Sequence, residues 1–115
     1  MDPIVEEAIR EEIEKPEGEL TKADLEKVTE LDLSFTKITA EGLKEVAKLQ
    51  NLTKLSLLRT KITDAGLKEV AKLKKLTSLD LSHSQVTYAG MVELQKAFPK
   101  CKIYKQLQEV TGSGH

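Results

Sequence analysis

"VTELDLSFTKITAEGLKEVAKLQN", residues 28–51, is followed directly by "LTKLSLLRTKITDAGLKEVAKLKK", residues 52–75. The two stretches are identical at 15 of their 24 positions, and a more divergent third copy, "LTSLDLSHSQVTYAGMVELQKAFP", occupies residues 76–99. A fixed period of this length is typical of repeat architectures, in which each copy is one structural unit. The fold is therefore decided by what one unit forms and by how the units stack.

Each copy has two halves with different hydrophobic periods. In the first copy "TELDLS" alternates polar and apolar residues, which predicts a strand, and "GLKEVAKL" places Leu43, Val46 and Ala47 at helical spacing. One strand and one helix cannot bury both of their apolar faces, whereas stacked copies can, with parallel strands in one layer and helices in the other. A threonine stands where each helix needs an N-cap, at Thr39, Thr63 and Thr87.

The in-register pattern "LxxLxLxxTxIT", followed by "GLKEVAKL", closely resembles the leucine-rich repeat, and most of all its 24-residue bacterial subtype. The resemblance implies an α/β solenoid, a horseshoe arc with parallel strands on the concave side and helices on the convex side. Many leucine-rich repeats carry an inward-turned Asn that bonds the backbone of neighbouring turns. In this chain hydroxyl side chains, which have less reach, take that position, at Thr36, Thr60 and Ser84.

The ends of the chain predict caps. Residues 1–27 are expected to form an N-terminal helical cap that begins at Asp2 and Pro3, with Thr21 and Asp24 spaced as a capping box. Residues 28–51, 52–75 and 76–99 are the three repeats, and residues 100–110 form a C-terminal cap in which Ile103 fills the strand position of a truncated fourth repeat. Residues 111–115 are interpreted as the remnant of an expression tag.

Composition narrows the class of protein. At 115 residues with no long apolar run and no signal-peptide pattern, the chain is expected to be one cytoplasmic domain. The lone cysteine, Cys101, excludes an internal disulfide and is expected to pack beneath the C-terminal cap. Residues 1–50 carry 14 acidic and 7 basic side chains, while residues 51–115 carry 5 acidic and 11 basic ones. We therefore expect a monomer that permits weak head-to-tail association.

The residues between the repeat leucines should point out of the concave side, because successive strand residues face opposite ways. Four of the nine differences between the first two repeats fall on these positions, so this face varies while the framework repeats. Phe35, Arg59 and His83 should form one column along the strand ends, with Leu58 as an exposed apolar neighbour. The resemblance implies that such a face holds a ligand, usually a protein. The candidate residues are Glu30, Asp32, Phe35, Lys54, Leu58, Arg59, Asp80, His83 and Tyr104.

The sequence gives little support for catalysis, metal binding or nucleic-acid binding. Asp80, Ser82 and His83 suggest a hydrolase, but their placement on and after one strand does not bring them into a chain of hydrogen bonds, and no nucleophile elbow is present. His83 with Asp80 provides too few ligands for a zinc site, and the basic C-terminal half lacks a nucleic-acid motif. We therefore predict no enzyme activity, metal or cofactor, and no membrane or nucleic-acid partner. Two readings stay open: a scaffold or binding module engineered or trimmed from family consensus, and a natural bacterial protein-interaction domain.

Overall fold

The computed structural model describes residues 1–106. Four short parallel strands form one sheet in the order β1-β2-β3-β4, and each residue pairs with the residue 24 positions further along, as Leu31 does with Leu55. The α/β solenoid predicted from the repeats is confirmed, and Ile103 does continue the leucine row, opposite Leu79. The strands are β1 (Glu30–Asp32), β2 (Lys54–Ser56), β3 (Ser78–Asp80) and β4 (Lys102–Tyr104).

Five helices lie along the other layer and the N-terminal end. Among residues 1–106, none of them combines the length and apolar character needed to cross a membrane. The helices are α1 (Pro3–Ile13), α2 (Lys22–Glu26), α3 (Ala40–Val46), α4 (Leu67–Val70) and α5 (Tyr88–Ala97), and a 3₁₀ turn (Asp64–Gly66) precedes α4.

The core is a continuous aliphatic layer between the strands and the helices. The repeat leucines alternate inward as predicted, and Leu33, Leu57 and Leu81 have no solvent exposure. Because each leucine stacks on its equivalent in the next repeat, one core runs through all the copies. Cys101 is buried at the C-terminal end of this core, and burial raises the pKa of its thiol.

Helix α1 packs at the other end of the core, where Val5 and Ile9 are buried. The side chain of Asp2 accepts hydrogen bonds from the N–H groups of Ile4, at 2.8 Å, and Val5, at 3.2 Å, and so begins α1. Both bonds of the predicted capping box are present: Asp24 N–H donates to Thr21 Oγ1, and Thr21 N–H donates to Asp24 Oδ2. Lys15 Nζ lies 2.6 Å from the same carboxylate oxygen. The hydrogen bond from Lys15, followed by those from Thr21, lowers the pKa of Asp24 to about 2.

The helix starts of the repeats differ from one another. Thr39 and Thr87 cap their helices, accepting hydrogen bonds from the N–H groups of Gly42 and Gly90. Thr63 does stand at the predicted N-cap position, but the expected capping bond from its side chain is not made. The second repeat opens with a 3₁₀ turn in which the N–H of Gly66 donates to the backbone oxygen of Thr63, so the donor that a capping hydroxyl needs is already used.

Hydroxyl groups join the repeats at a position that sequence analysis did not single out. Thr53 Oγ1 donates to the backbone oxygen of Thr29, and Thr77 Oγ1 donates to that of Thr53. The hydroxyls in the place of the family's Asn do not reach a neighbouring turn and instead donate to the carbonyl three residues earlier in their own repeat. These bonds are Thr36 to Leu33, Thr60 to Leu57 and Ser84 to Leu81.

Asp64 also joins two repeats. Its Oδ1 accepts a hydrogen bond from the N–H of Thr87, at 2.8 Å, and its Oδ2 accepts one from Thr87 Oγ1, at 2.6 Å. These two bonds hold the pKa of Asp64 below its ordinary value. The contact fixes the start of α5 against the preceding repeat.

Candidate functional site

The concave face of the sheet carries two rows of outward side chains, one on each side of the buried leucine row. The register places Glu30, Lys54, Ser78 and Lys102 in one row and Asp32, Ser56, Asp80 and Tyr104 in the other. A shallow depression of about 250 Å³ lies over these rows and brings together the predicted residues Glu30, Asp32, Lys54 and Asp80. Glu12 of α1 also lines this depression. No repeat pattern marked Glu12, because it precedes the first repeat.

The two concave aspartates also shape the turns that follow their strands. Asp32 Oδ1 accepts a hydrogen bond from the N–H of Ser34, and Asp80 Oδ1 accepts one from the N–H of Ser82, both at 2.9 Å. In turns, an Asp side chain typically accepts a hydrogen bond from the backbone N–H two residues further along the chain. Part of each carboxylate therefore serves the backbone rather than a ligand.

Phe35, Arg59 and His83 share a left-handed backbone conformation, with φ angles of 62°, 55° and 58°. Their N–H groups donate to carbonyls of the following repeat, on Leu58, Ser82 and Gln106 respectively. The predicted column is therefore built by one turn used three times. The left-handed conformation itself was not predicted, since the residue types that signal it are Gly and Asn.

The side chains of this column differ in exposure. The Phe35 ring is 69% exposed and lies 6.0 Å from the guanidinium carbon of Arg59, at the outer limit of a cation–π contact. Arg59 is exposed and His83 is half-buried. The exposure predicted for Leu58 was wrong: it is half-buried, because the equivalent turns of the first and third repeats flank it. Tyr104, 52% exposed on β4, lies at the opposite end of the face from Phe35.

The polar residues that suggested hydrolysis have other hydrogen-bond partners. Asp80 accepts from the backbone of Ser82, and the buried hydroxyl of Ser82 accepts a hydrogen bond from the N–H of Gln106, at 2.9 Å. Within the described part of the chain, no cluster of three His, Cys, Asp or Glu side chains is placed to hold a metal ion. What the face offers chemically is charge of both signs, two exposed aromatic rings and hydrogen-bonding groups.

Residues 19–111 match the family model described as "Zer-1-like, Leucine-rich repeats". Among solved structures, an internalin from Listeria monocytogenes has a similar fold, with a TM-score of 0.68 at 21% sequence identity. The match covers 95% of this chain and 32% of the internalin chain, so this chain spans about a third of that structure. No curated protein matches the sequence.

Proposed function

Because this chain belongs to the Zer-1-like leucine-rich repeat family, we propose that it is a non-enzymatic protein-binding module that holds its ligand on the concave face. Leucine-rich repeats generally bind proteins, and a parallel sheet with an open concave side offers an extended surface for that purpose. In this proposal residues 28–99 carry the surface, while residues 1–27 and 100–106 close the ends of the core. Residues 107–110 of the predicted C-terminal cap and the predicted tag remnant, residues 111–115, lie outside the described residues.

One observation supports the proposal above the others: identical backbone turns carry unlike side chains. The same left-handed turn presents Phe35, Arg59 and His83, and the same strand position presents Glu30 in the first repeat and Lys54 in the second. The buried positions between them remain leucine. A surface that varies on a constant framework is the arrangement expected when a ligand, rather than stability, determines the outward residues.

A selection experiment tests the proposal. Displayed libraries of random peptides and of small protein domains are selected against the immobilised chain. The binders are then tested on a concave variant, Glu30→Lys/Arg59→Glu, which keeps the net charge but reverses one charge on the strands and one in the column at the strand ends. A matched convex variant, Glu41→Lys/Lys44→Glu, makes the same exchange between two exposed residues on the helix side. We expect binders that lose at least roughly tenfold in affinity for the concave variant and keep their affinity for the convex one.

Either of two results contradicts the proposal. Binders that are equally sensitive to both variants would show that the concave face has no special role. A selection that yields no binder, from a protein that remains folded and monomeric, favours the alternative reading of a scaffold without a partner.

A further inference from the structure

The turns that follow the strands form a strip with cations and no acids. We call residues 33–39, 57–63 and 81–87 the strand-end ledge. It contains Lys37, Arg59, Lys61 and His83 but no Asp or Glu, although the chain has 19 acidic residues. Lys37, Arg59 and Lys61 are all exposed, and none of the ion pairs within residues 1–106 involves them.

The acids that border the ledge are engaged by donors of the protein itself. Asp32 and Asp80 accept hydrogen bonds from turn N–H groups, and Asp64 accepts two from Thr87. Their carboxylates are thereby held in place at their own turns rather than extended toward the ledge cations. The positive charge of the ledge remains available to an outside ligand.

The ledge also combines an apolar contact with a polar hollow. Phe35 lies at one end with its ring mostly in solvent, and Arg59, Lys61 and His83 line an open hollow of about 590 Å³ further along. Equivalent side chains of adjacent repeats are about 4.8 Å apart, so the column from Phe35 to His83 extends over roughly 10 Å. An extended peptide covers that distance with three to four residues.

The backbone of the column is held in a conformation that its residue types do not favour. A left-handed φ is unfavourable for a residue with a Cβ and nearly free for glycine. Glycine at positions 35, 59 and 83 would make the turn easier to form, yet the chain has Phe, Arg and His at all three. Strain repeated at equivalent positions indicates that these side chains are present for what they contact outside the fold.

We propose that the strand-end ledge binds an acidic peptide segment of the partner protein. The carboxylates of the segment lie against Arg59 and Lys61, and an apolar side chain of the segment packs on Phe35. This inference rests on the proposed function and specifies its ligand. A nucleic acid fits less well, because a continuous phosphate backbone across the face would meet Glu30, Asp32 and Asp80, whereas a peptide places its charges only where cations are present.

The test uses 12-residue peptides selected from a random display library on the wild-type chain. We expect the selected peptides to be enriched in Asp and Glu and to bind roughly tenfold more weakly in 500 mM than in 50 mM NaCl, because exposed charges are screened. Arg59→Gly should weaken binding at least about tenfold while the melting temperature rises by roughly 2–4 °C, since glycine relieves the left-handed strain. Loss of binding therefore cannot be attributed to unfolding.

The matched control is Glu14→Gly. Glu14 ends α1 with a φ of 56° and is, apart from the column, the one non-glycine residue with a positive φ within residues 1–106. Its replacement should raise the melting temperature by a similar amount and leave peptide affinity unchanged.

Four results would overturn the inference. Selected peptides that are neutral or basic, or that bind Arg59→Gly as tightly as the wild type, would refute the acidic ligand and leave the proposed function intact. A labelled 12-nucleotide DNA or RNA that binds the ledge more tightly than the acidic peptides would replace the peptide with a nucleic acid. A selection that yields no binder of any kind would remove the proposed function, and this inference with it.

Discussion

Gly90 on α5 is required by a side chain of the preceding repeat. A β-carbon added at this position would lie 2.5 Å from Cγ and 2.8 Å from Oδ2 of Asp64, whose carboxylate accepts both hydrogen bonds from Thr87. Alanine at position 90 therefore has to displace the carboxylate, and both bonds break. Elsewhere in a helix the same substitution is expected to stabilise the protein.

The expected magnitude follows from these two opposing effects. Two hydrogen bonds to an ionised acceptor, discounted because Thr87 is exposed and water competes for the carboxylate, contribute about 1–2 kcal/mol together. Alanine in place of glycine raises the free energy of unfolding by about 0.5–1 kcal/mol, because it restricts the unfolded chain. Gly90→Ala should therefore lower the free energy of unfolding by about 0.5–1 kcal/mol. In an Asp64→Ala background the carboxylate is absent, so Gly90→Ala should raise the free energy of unfolding by a similar amount.

The measurement is urea unfolding, followed by circular dichroism, of the wild type, both single variants and the double variant. Because the pKa of Asp64 is lowered in the folded state, its contribution to stability is fully present above the ordinary value near 3.8 and is lost as the pH falls through the lower folded value. The coupling between the two substitutions should accordingly shrink as the pH is lowered below 3.8. If Gly90→Ala changes stability equally with and without the Asp64 carboxylate, the steric explanation is refuted.

Three further predictions concern the framework. Leu57→Ala should lower the free energy of unfolding by about 2–5 kcal/mol through cavity formation, and Leu58→Ser should lower it by clearly less. Equal losses in urea unfolding would mean that the assigned strand faces are wrong. The Asp24 contribution to stability should persist at pH 5 and disappear between pH 4 and pH 2, so Asp24→Asn should flatten the pH dependence of the melting temperature in that range. Thr39→Ala should destabilise the chain by about 1 kcal/mol and Thr63→Ala by much less, since only the Thr39 side chain accepts a hydrogen bond from the start of its helix. Similar losses on thermal melting would contradict the difference in capping.

The sequence was sufficient to predict the framework because the repeat determines both the buried face of each strand and the pairing between strands. Alternation around Leu31 and Leu33 determines which strand face is buried, and the 24-residue offset determines which residues pair across the sheet. A slip by one residue would expose the whole leucine row, so no other register competes. The outward positions follow from the same alternation, which is why the depression on the concave face contains four of the predicted residues.

Features that depend on local backbone conformation or on contacts between repeats could not be predicted in the same way. Phe35, Arg59 and His83 carry no local signal for a positive φ, because the conformation is imposed by the hydrogen bond to the next repeat. The missing cap at Thr63 results from a 3₁₀ turn whose sequence, apart from "DA" in place of "AE", is that of the α-helical first repeat. The turn bond of Asp32, by contrast, can be recognised from the sequence, because Asp in a turn commonly accepts from the N–H two residues further along.

The threonine bonds between repeats have a consequence for the length of the molecule. Thr53 both accepts from Thr77 and donates to Thr29, so a middle repeat carries everything needed to join a copy of itself on either side. Tandem duplication of residues 52–75 should therefore extend the arc without new design, adding one Arg and one Lys to the ledge for each copy, at intervals of about 4.8 Å. Avidity for a long acidic ligand would then depend on the copy number alone, with each single contact unchanged.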